Sequence, residues 1–209
     1  MPYSVKHNTD LASSHTFKLL GSTCECFVEY SDAHDLPLIF NDPSLPRPIL
    51  PIGGGSNMFF NGHFRGTVLH CTNSNITIDG LHMAAGPATL LDSICRITSE
   101  NGLWGAECLS GIPGEICGAI VQNAGAYGAE TADIVDSVDV YDIAGNRFIS
   151  LSKDECRFGY RTSMFKDTCP TEPQYIITGV HLSLHTRKPQ HQQHRGIELT
   201  PDSTPETVR

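Results

Sequence analysis

The sequence predicts an α+β fold, on three observations. Short runs of alternating apolar and polar residues recur along the chain, and two pairs of them are joined by hairpin turns. Only one segment has clear helical spacing. Strands and helices do not alternate regularly, as they would in a doubly wound parallel sheet.

In chain order, residues 1–15 carry no periodicity and are expected to fray. Thr23–Tyr30 alternates as a strand. Residues 41–48 form a connection rich in proline (Pro43, Pro46, Pro48). Ile49–Ile52 is an apolar run that ends in Gly53-Gly54-Gly55-Ser56-Asn57, which reads as a strand entering a tight turn. Residues 66–70 form another short strand. Over 75–86, Ile76 and Ile78 alternate with polar residues, Asp79-Gly80 turns the chain, and Leu81 and Met83 return, which is a hairpin. Pro87 suits a first helical turn. Leu90, Leu91, Ile94, Cys95 and Thr98 then follow at helical spacing, and Asn101-Gly102 closes that helix. A second hairpin spans 138–151 and turns at Ala144-Gly145-Asn146. A last strand, 175–184, puts Val180, Leu182 and Leu184 on one face and His181, Ser183 and His185 on the other. From Thr186 the composition changes to Pro, Gln, His and Thr with no apolar pattern.

Composition narrows the function. The chain has 209 residues, with 14 Lys+Arg against 23 Asp+Glu for a net charge of −9. That acidity argues against a broad nucleic-acid or anionic-membrane footprint. No apolar run approaches the roughly 18 residues of a membrane span, and the start carries no apolar export segment, so a cytoplasmic protein without membrane insertion is expected. The eight cysteines (Cys24, Cys26, Cys71, Cys95, Cys108, Cys117, Cys156, Cys169) include no C-x2-C pair and read as reduced, packed thiols. His181, His185, His191 and His194 read as a solvated face and tail, with no metal site expected.

Three segments carry chemistry. In 53–57, successive amides with little side-chain obstruction can nest phosphate oxygens, and Ser56 and Asn57 add polar atoms. The pattern is not the Rossmann fingerprint, because Met58-Phe59-Phe60 follows, and it is not a Walker loop, because no Gly-Lys-Ser/Thr follows. The alternative is an ordinary tight turn. Residues 109–128 hold five glycines (Gly111, Gly114, Gly118, Gly125, Gly128) with almost no charge. A solvated loop would be more polar and a helix core would not tolerate that glycine density, which leaves backbone lying against a flat uncharged surface such as a cofactor ring, with Gln122 and Asn123 placed to hydrogen-bond its edge. A glycine-rich packing turn is the alternative. In 155–166, Tyr160, Arg161 and Lys166 are candidates to hold a carboxylate or a developing negative charge, Arg161 through its bidentate fork. A surface ion pair is the alternative for that arginine.

Taken together, in order and spacing, 53–57, 109–114, 122–130 and 155–166 resemble the family of UDP-N-acetylenolpyruvoylglucosamine reductase (MurB), with the likeness running from Thr16-Phe17 to about Leu184. The resemblance implies the FAD-binding fold of the vanillyl-alcohol-oxidase (PCMH) type, two α+β subdomains clasping FAD. It places Gly53, Gly54, Gly55, Ser56 and Asn57 at the pyrophosphate. It places Ile112, Pro113, Gly114, Gly118, Gln122, Asn123, Gly125 and Ala126 near the flavin and its phosphates. It implies NADPH as reductant and the enolpyruvyl group of a UDP-sugar as substrate, in peptidoglycan precursor synthesis. Arg161 corresponds to the family's active-site arginine and Tyr160 flanks the same site, so these two are the candidate catalytic residues. The implied organisation is a first subdomain over 1–70, a second over 71–185, and a tail over 186–209 that resembles the entry into a third, substrate-binding domain.

The sequence departs from the family pattern at definite places. The Gly-Ser-Phe-Phe-Lys-Asn-Pro stretch that carries the family's proton-donating serine does not occur, the C-terminal glutamate is missing, and Ser163 is not the serine's equivalent. The usual Asn-Thr-Phe reads His15-Thr16-Phe17. The expectation is therefore impaired turnover by this chain, because general-acid help is typically worth about 10²–10⁴-fold. Two further readings stand beside it: a non-catalytic flavin-binding fragment needing a partner chain, and a flavin oxidase tethering its cofactor through a residue such as Cys117.

Overall fold

The computed structural model describes residues 3–16, 18, 20–167, 170–188, 200 and 202–209. Two sheets carry the fold. The first is built from β1 (Ser4–Asp10), β2 (Thr23–Tyr30), β3 (Ile49–Ile52) and β4 (His63–Cys71), in the order β1-β2-β4-β3. β1 runs antiparallel to β2, whereas β4 lies parallel to both β2 and β3. A short helix, α1 (Leu36–Asn41), with Pro37 in its first turn, makes the crossover after β2.

The second sheet takes the remaining long strands: β5 (Ile76–Asp79), β6 (His82–Ala85), β9 (Val135–Asp142), β10 (Arg147–Ser152) and β11 (Tyr175–Ser183), all antiparallel in the order β10-β9-β11-β6-β5. Between β6 and β9 lie α2 (Leu91–Glu100), α3 (Ile116–Gln122) and a two-stranded ribbon, β7 (Gly125–Ala126) with β8 (Ala129–Glu130). The largest core packs α2 and α3 on this sheet through Leu91, Ile94, Ile116, Ile120, Val138 and Leu182. Burying each such side chain contributes about 1.5–3 kcal/mol against leaving it in water. A second core joins the sheets, with Tyr141 and Ile176 of the five-stranded sheet seated among Val28, Leu36, Ile39 and Leu69. A third holds Leu11, Phe27, Leu50, Ile52 and Val68 behind the 53–57 turn.

Several expectations are corrected. Residues 4–10 do not fray: they form β1, whose register partners run from Ser4↔Glu29 to Asp10↔Thr23 and skip Asn8, which sits at φ 47°. Its pattern was invisible because this edge strand is mostly exposed on both faces and carries little apolar marking. Residues 109–128 do contain a helix, α3. Only Gly118 of the five glycines falls inside it, and Ile116, Ala119 and Ile120 bury one face. The 66–70 strand runs from His63 to Cys71, and the second hairpin starts at Val135. The helix expected after Pro87 starts at Leu91.

Of the seven described cysteines, all but Cys117 are buried. Burial pushes the Cys24 and Cys156 thiols up to about 11 and Cys95 up to about 12, so they stay protonated and unreactive at neutral pH. Cys169, Phe17, His191, His194 and Leu199 lie outside the described residues. Of the tail, α4 (Pro205–Val208) carries a capping box at Thr204 and rests on α2, where Arg209 meets Asp92 at 3.1 Å. No helix among the described residues is long and apolar enough to cross a membrane.

Candidate functional site

The turn after β3 is shaped by contact from below. Gly55 is buried at φ 65°, and a methyl group there would lie 1.8 Å from the Ser14 carbonyl oxygen, so no side chain fits. Among the described residues, the amides of Gly54, Gly55, Ser56 and Asn57 donate to no protein group, leaving four donors in succession. Thr16 Oγ1 donates to the Ser56 carbonyl at 3.3 Å, and Gly54 and Asn57 are exposed on the rim.

The second glycine segment lies directly against this turn. A methyl group on Gly54 would lie 3.4 Å from Gly114 Cα, and one on Gly53 would lie 2.9 Å from Cys117 Sγ. Ser56 Oγ occupies the space that a side chain at Gly114 would need, at 2.5 Å. Asn57 Nδ2 donates to Gln122 Oε1 at 3.2 Å. Gly118, by contrast, is exposed in the first turn of α3, with nothing among the described residues within 4 Å of where its Cβ would be. Gly111 has the same open surroundings. Below the segment, Asp92 accepts from Ser110 Oγ at 2.5 Å and from the Gly111 amide at 3.0 Å, and these bonds hold its carboxyl below the usual range. Ile112 packs on the largest core, while Pro113 is exposed beside Gly114.

The third segment is tied to the end of the second. Ser163 Oγ donates to the Val121 carbonyl at 2.8 Å, Asn123 Nδ2 to the Gly159 carbonyl at 2.9 Å, and Arg161 Nη2 to the Gly125 carbonyl at 2.8 Å. Lys166 Nζ is used internally, donating to the Arg161 carbonyl at 2.8 Å. Tyr160 is 85% exposed and Arg161 is exposed beside it. Asn123, Tyr127, Arg157 and Arg161 all have φ between 44° and 55°, so backbone strain gathers in this corner. Gly125 and Ala126 form β7 next to the guanidinium. The fold thus brings the three candidate segments into one place.

A cleft of about 290 Å³ opens beside Gly53 and Gly54, lined also by Lys6, Asp10, Glu29, Phe27, His70 and Glu115. His70 Nε2 faces the Glu115 carboxylate at 3.1 and 3.3 Å, and Lys6 pairs with Glu29 at 2.6 Å. The sequence reading missed this wall. One signal pointed to it: Glu115 is the single charged residue in 109–128. His15 was noted only as a departure. It is 3% exposed, abuts Gly55, lies tilted against Phe60 with ring centroids 5.9 Å apart, and both its ring nitrogens lack a partner among the described residues. Among the described residues no cluster of three or more metal-ligating side chains occurs.

Comparison with known proteins agrees with this arrangement. The FAD binding domain family matches residues 27–151. UDP-N-acetylenolpyruvoylglucosamine reductase of Streptomyces coelicolor is 36% identical over 187 residues, covering 88% of this chain and 47% of that protein. The enzyme of that name from Neisseria gonorrhoeae is 34% identical over 188 residues, covering 87% and 54%. The chain spans about half the length of the curated relatives it matches. Among solved structures, UDP-N-acetylenolpyruvylglucosamine reductase (MurB) from Thermus caldophilus superposes with a TM-score of 0.73 at 27% identity, covering 89% of this chain and 64% of that one. A solvent-stable cholesterol oxidase, 12% identical with a TM-score of 0.58, covers 88% and 38% and shares the fold alone. The resemblance drawn from the four motifs is thus found over most of the chain, on the PCMH-type α+β scaffold. With 27–151 matched, this chain belongs to the FAD binding domain family.

Proposed function

We propose that this chain binds FAD and forms the flavin-binding part of a UDP-N-acetylenolpyruvoylglucosamine reductase, which takes reducing equivalents from NADPH in the cytoplasm and yields UDP-N-acetylmuramate for peptidoglycan. The observation that carries the reading is the junction itself: four consecutive amides at 54–57 that donate to no group among the described residues, against a second glycine segment that ends under Arg161.

The residues present fit FAD. The amides of Gly54–Asn57 are uncommitted donors of the kind that hold a diphosphate, and the bare surface at Gly118 admits a ligand to backbone distance. Gln122, Gly125 and Ala126 lie toward the flavin in this reading. FAD, when bound, supplies the hydride chemistry. The chain's own residues orient and polarise. Arg161 aims a fixed cation at the carboxylate side of the substrate, where negative charge develops, and a preorganised cation there is a large catalytic contribution. Its bond to the Gly125 carbonyl and the Lys166 bond to its own carbonyl hold that cation in place. Tyr160 flanks it with an exposed hydroxyl.

One observation favours the second reading, a flavin-binding fragment that needs a partner chain for turnover. Ser163, two residues from Arg161, is 1% exposed and donates its hydroxyl proton to the Val121 carbonyl, so it is not poised to protonate a substrate carbanion. Titrating the purified protein with FAD and following flavin absorbance tests the common core of both readings: no bound flavin overturns both. NADPH oxidation with UDP-N-acetylglucosamine enolpyruvate then separates them, since turnover like that of an intact reductase excludes the fragment reading.

A further inference from the structure

We propose that Asn123 is a positioning residue that sets the place of Arg161 and does not itself bind the flavin. The inference rests on the FAD reading above, but its evidence is the hydrogen-bond geometry of the chain. Asn123 ends α3 in the left-handed region at φ 44° and ψ 59°, and it is 1% exposed. Both protons of its carboxamide are committed, one to Glu130 Oε2 at 2.8 Å and one to the Gly159 carbonyl at 2.9 Å. Its carbonyl oxygen accepts from the Ala132 amide at 3.0 Å. No donor remains to reach a ring edge.

The three partners belong to two separate pieces of chain: the stretch in which β8 runs into the turn at 131–133, and the Gly159–Thr162 bridge that presents Tyr160 and Arg161. The bridge closes on itself through Gly159 and Thr162 amides at 3.0 and 3.1 Å, so fixing the Gly159 carbonyl fixes the whole loop. Arg161 completes the circuit by donating to Gly125, two residues beyond Asn123. Without the carboxamide, the loop keeps its own bridge and the Ser163 bond to Val121 beyond it, but the end that presents Tyr160 and Arg161 loses its tie to the end of α3. The guanidinium then stands at a variable height over the second glycine segment, although the phosphate-facing amides at 54–57 are untouched.

The test uses the FAD-loaded protein and phosphoenolpyruvate as a small enolpyruvyl carboxylate, with its binding read as a perturbation of the flavin absorbance band. Asn123→Gly removes the clamp and suits the left-handed backbone, so the fold is kept, as the far-ultraviolet circular dichroism will report. Asn123→Asp keeps the acceptor and loses both donors. For both variants we expect the FAD dissociation constant to stay within threefold and that of phosphoenolpyruvate to rise at least tenfold; Arg161→Gln should abolish the perturbation. A tenfold weakening of FAD by Asn123→Gly makes Asn123 a flavin ligand and overturns the proposal. Unchanged phosphoenolpyruvate binding in either variant, or no perturbation in the FAD-loaded wild type, also overturns it. Wild-type protein that takes up no FAD defeats the underlying reading instead, so the two failures are told apart.

Discussion

Two glycines at the meeting of the segments, Gly55 and Gly118, serve opposite ends. At Gly55 the missing side chain makes room for the protein itself, since the Ser14 carbonyl fills the space. At Gly118 the missing side chain leaves room that no atom of the described residues takes. The first segment is held by steric contact and leaves its amides free. The second is held by hydrogen bonds: the Gly111 amide donates to Asp92, Asn123 donates to the Gly159 carbonyl, and Arg161 donates to the Gly125 carbonyl. A glycine-rich stretch alone therefore does not announce a ligand; the side of the backbone left empty does.

The largest expected effect breaks the first half of that comparison. Gly55→Ala forces a methyl group into the Ser14 carbonyl at a positive φ, so unfolding free energy should fall by about 3 kcal/mol or more in chemical denaturation. A loss under about 1 kcal/mol would show that the turn gives way and is not packed as described.

Next in size is the response to alkali, which probes the cores behind the two segments. The folded thiols of Cys24, Cys95 and Cys156 are raised by burial above their unfolded values. Stability from these groups is thus whole below about pH 8.5 and is lost as pH climbs toward 11–12, because only the unfolded chain releases the protons. Denaturation midpoints taken from pH 7 to 11 should hold to about pH 8.5 and fall beyond it, and Cys95→Ala should flatten the decline; a flat wild-type profile contradicts buried thiols.

Gly118→Ala sharpens the second half. Without ligand the variant should be more stable by roughly 0.5–1 kcal/mol, as for glycine to alanine inside a helix. FAD affinity should drop tenfold or more, about 1.4 kcal/mol, if ligand approaches that bare surface. Unchanged affinity in a flavin titration would move the ligand elsewhere. The smallest effect belongs to Asn57→Ala, which removes an exposed 3.2 Å bond to Gln122 and should alter stability by about 1 kcal/mol or less, measured by the same denaturation.

Much of this was legible along the chain. The strands Thr23–Tyr30 and Ile49–Ile52, the Asp79-Gly80 turn and the one amphipathic helix follow from local periodicity and turn chemistry, which act over a few residues. The three candidate segments were also visible, because glycine density and a placed arginine are local signals. β1 was not visible, since an edge strand exposed on both faces needs no apolar alternation and takes its order from the ladder to β2. Nor were the roles of His70 and Glu115, which lie 45 residues apart and meet only across the cleft.

Sequence alone therefore determined the α+β class, the glycine turn after a strand and the set of residues that could act. Tertiary structure alone decided that β4 lies parallel between β2 and β3, that 53–57 touches 114–118, and that the Asn123 carboxamide turns inward to hold the loop of Arg161. The physical reason is range: backbone conformation answers to near neighbours, whereas burial and hydrogen-bond partners are settled by what distant strands bring alongside.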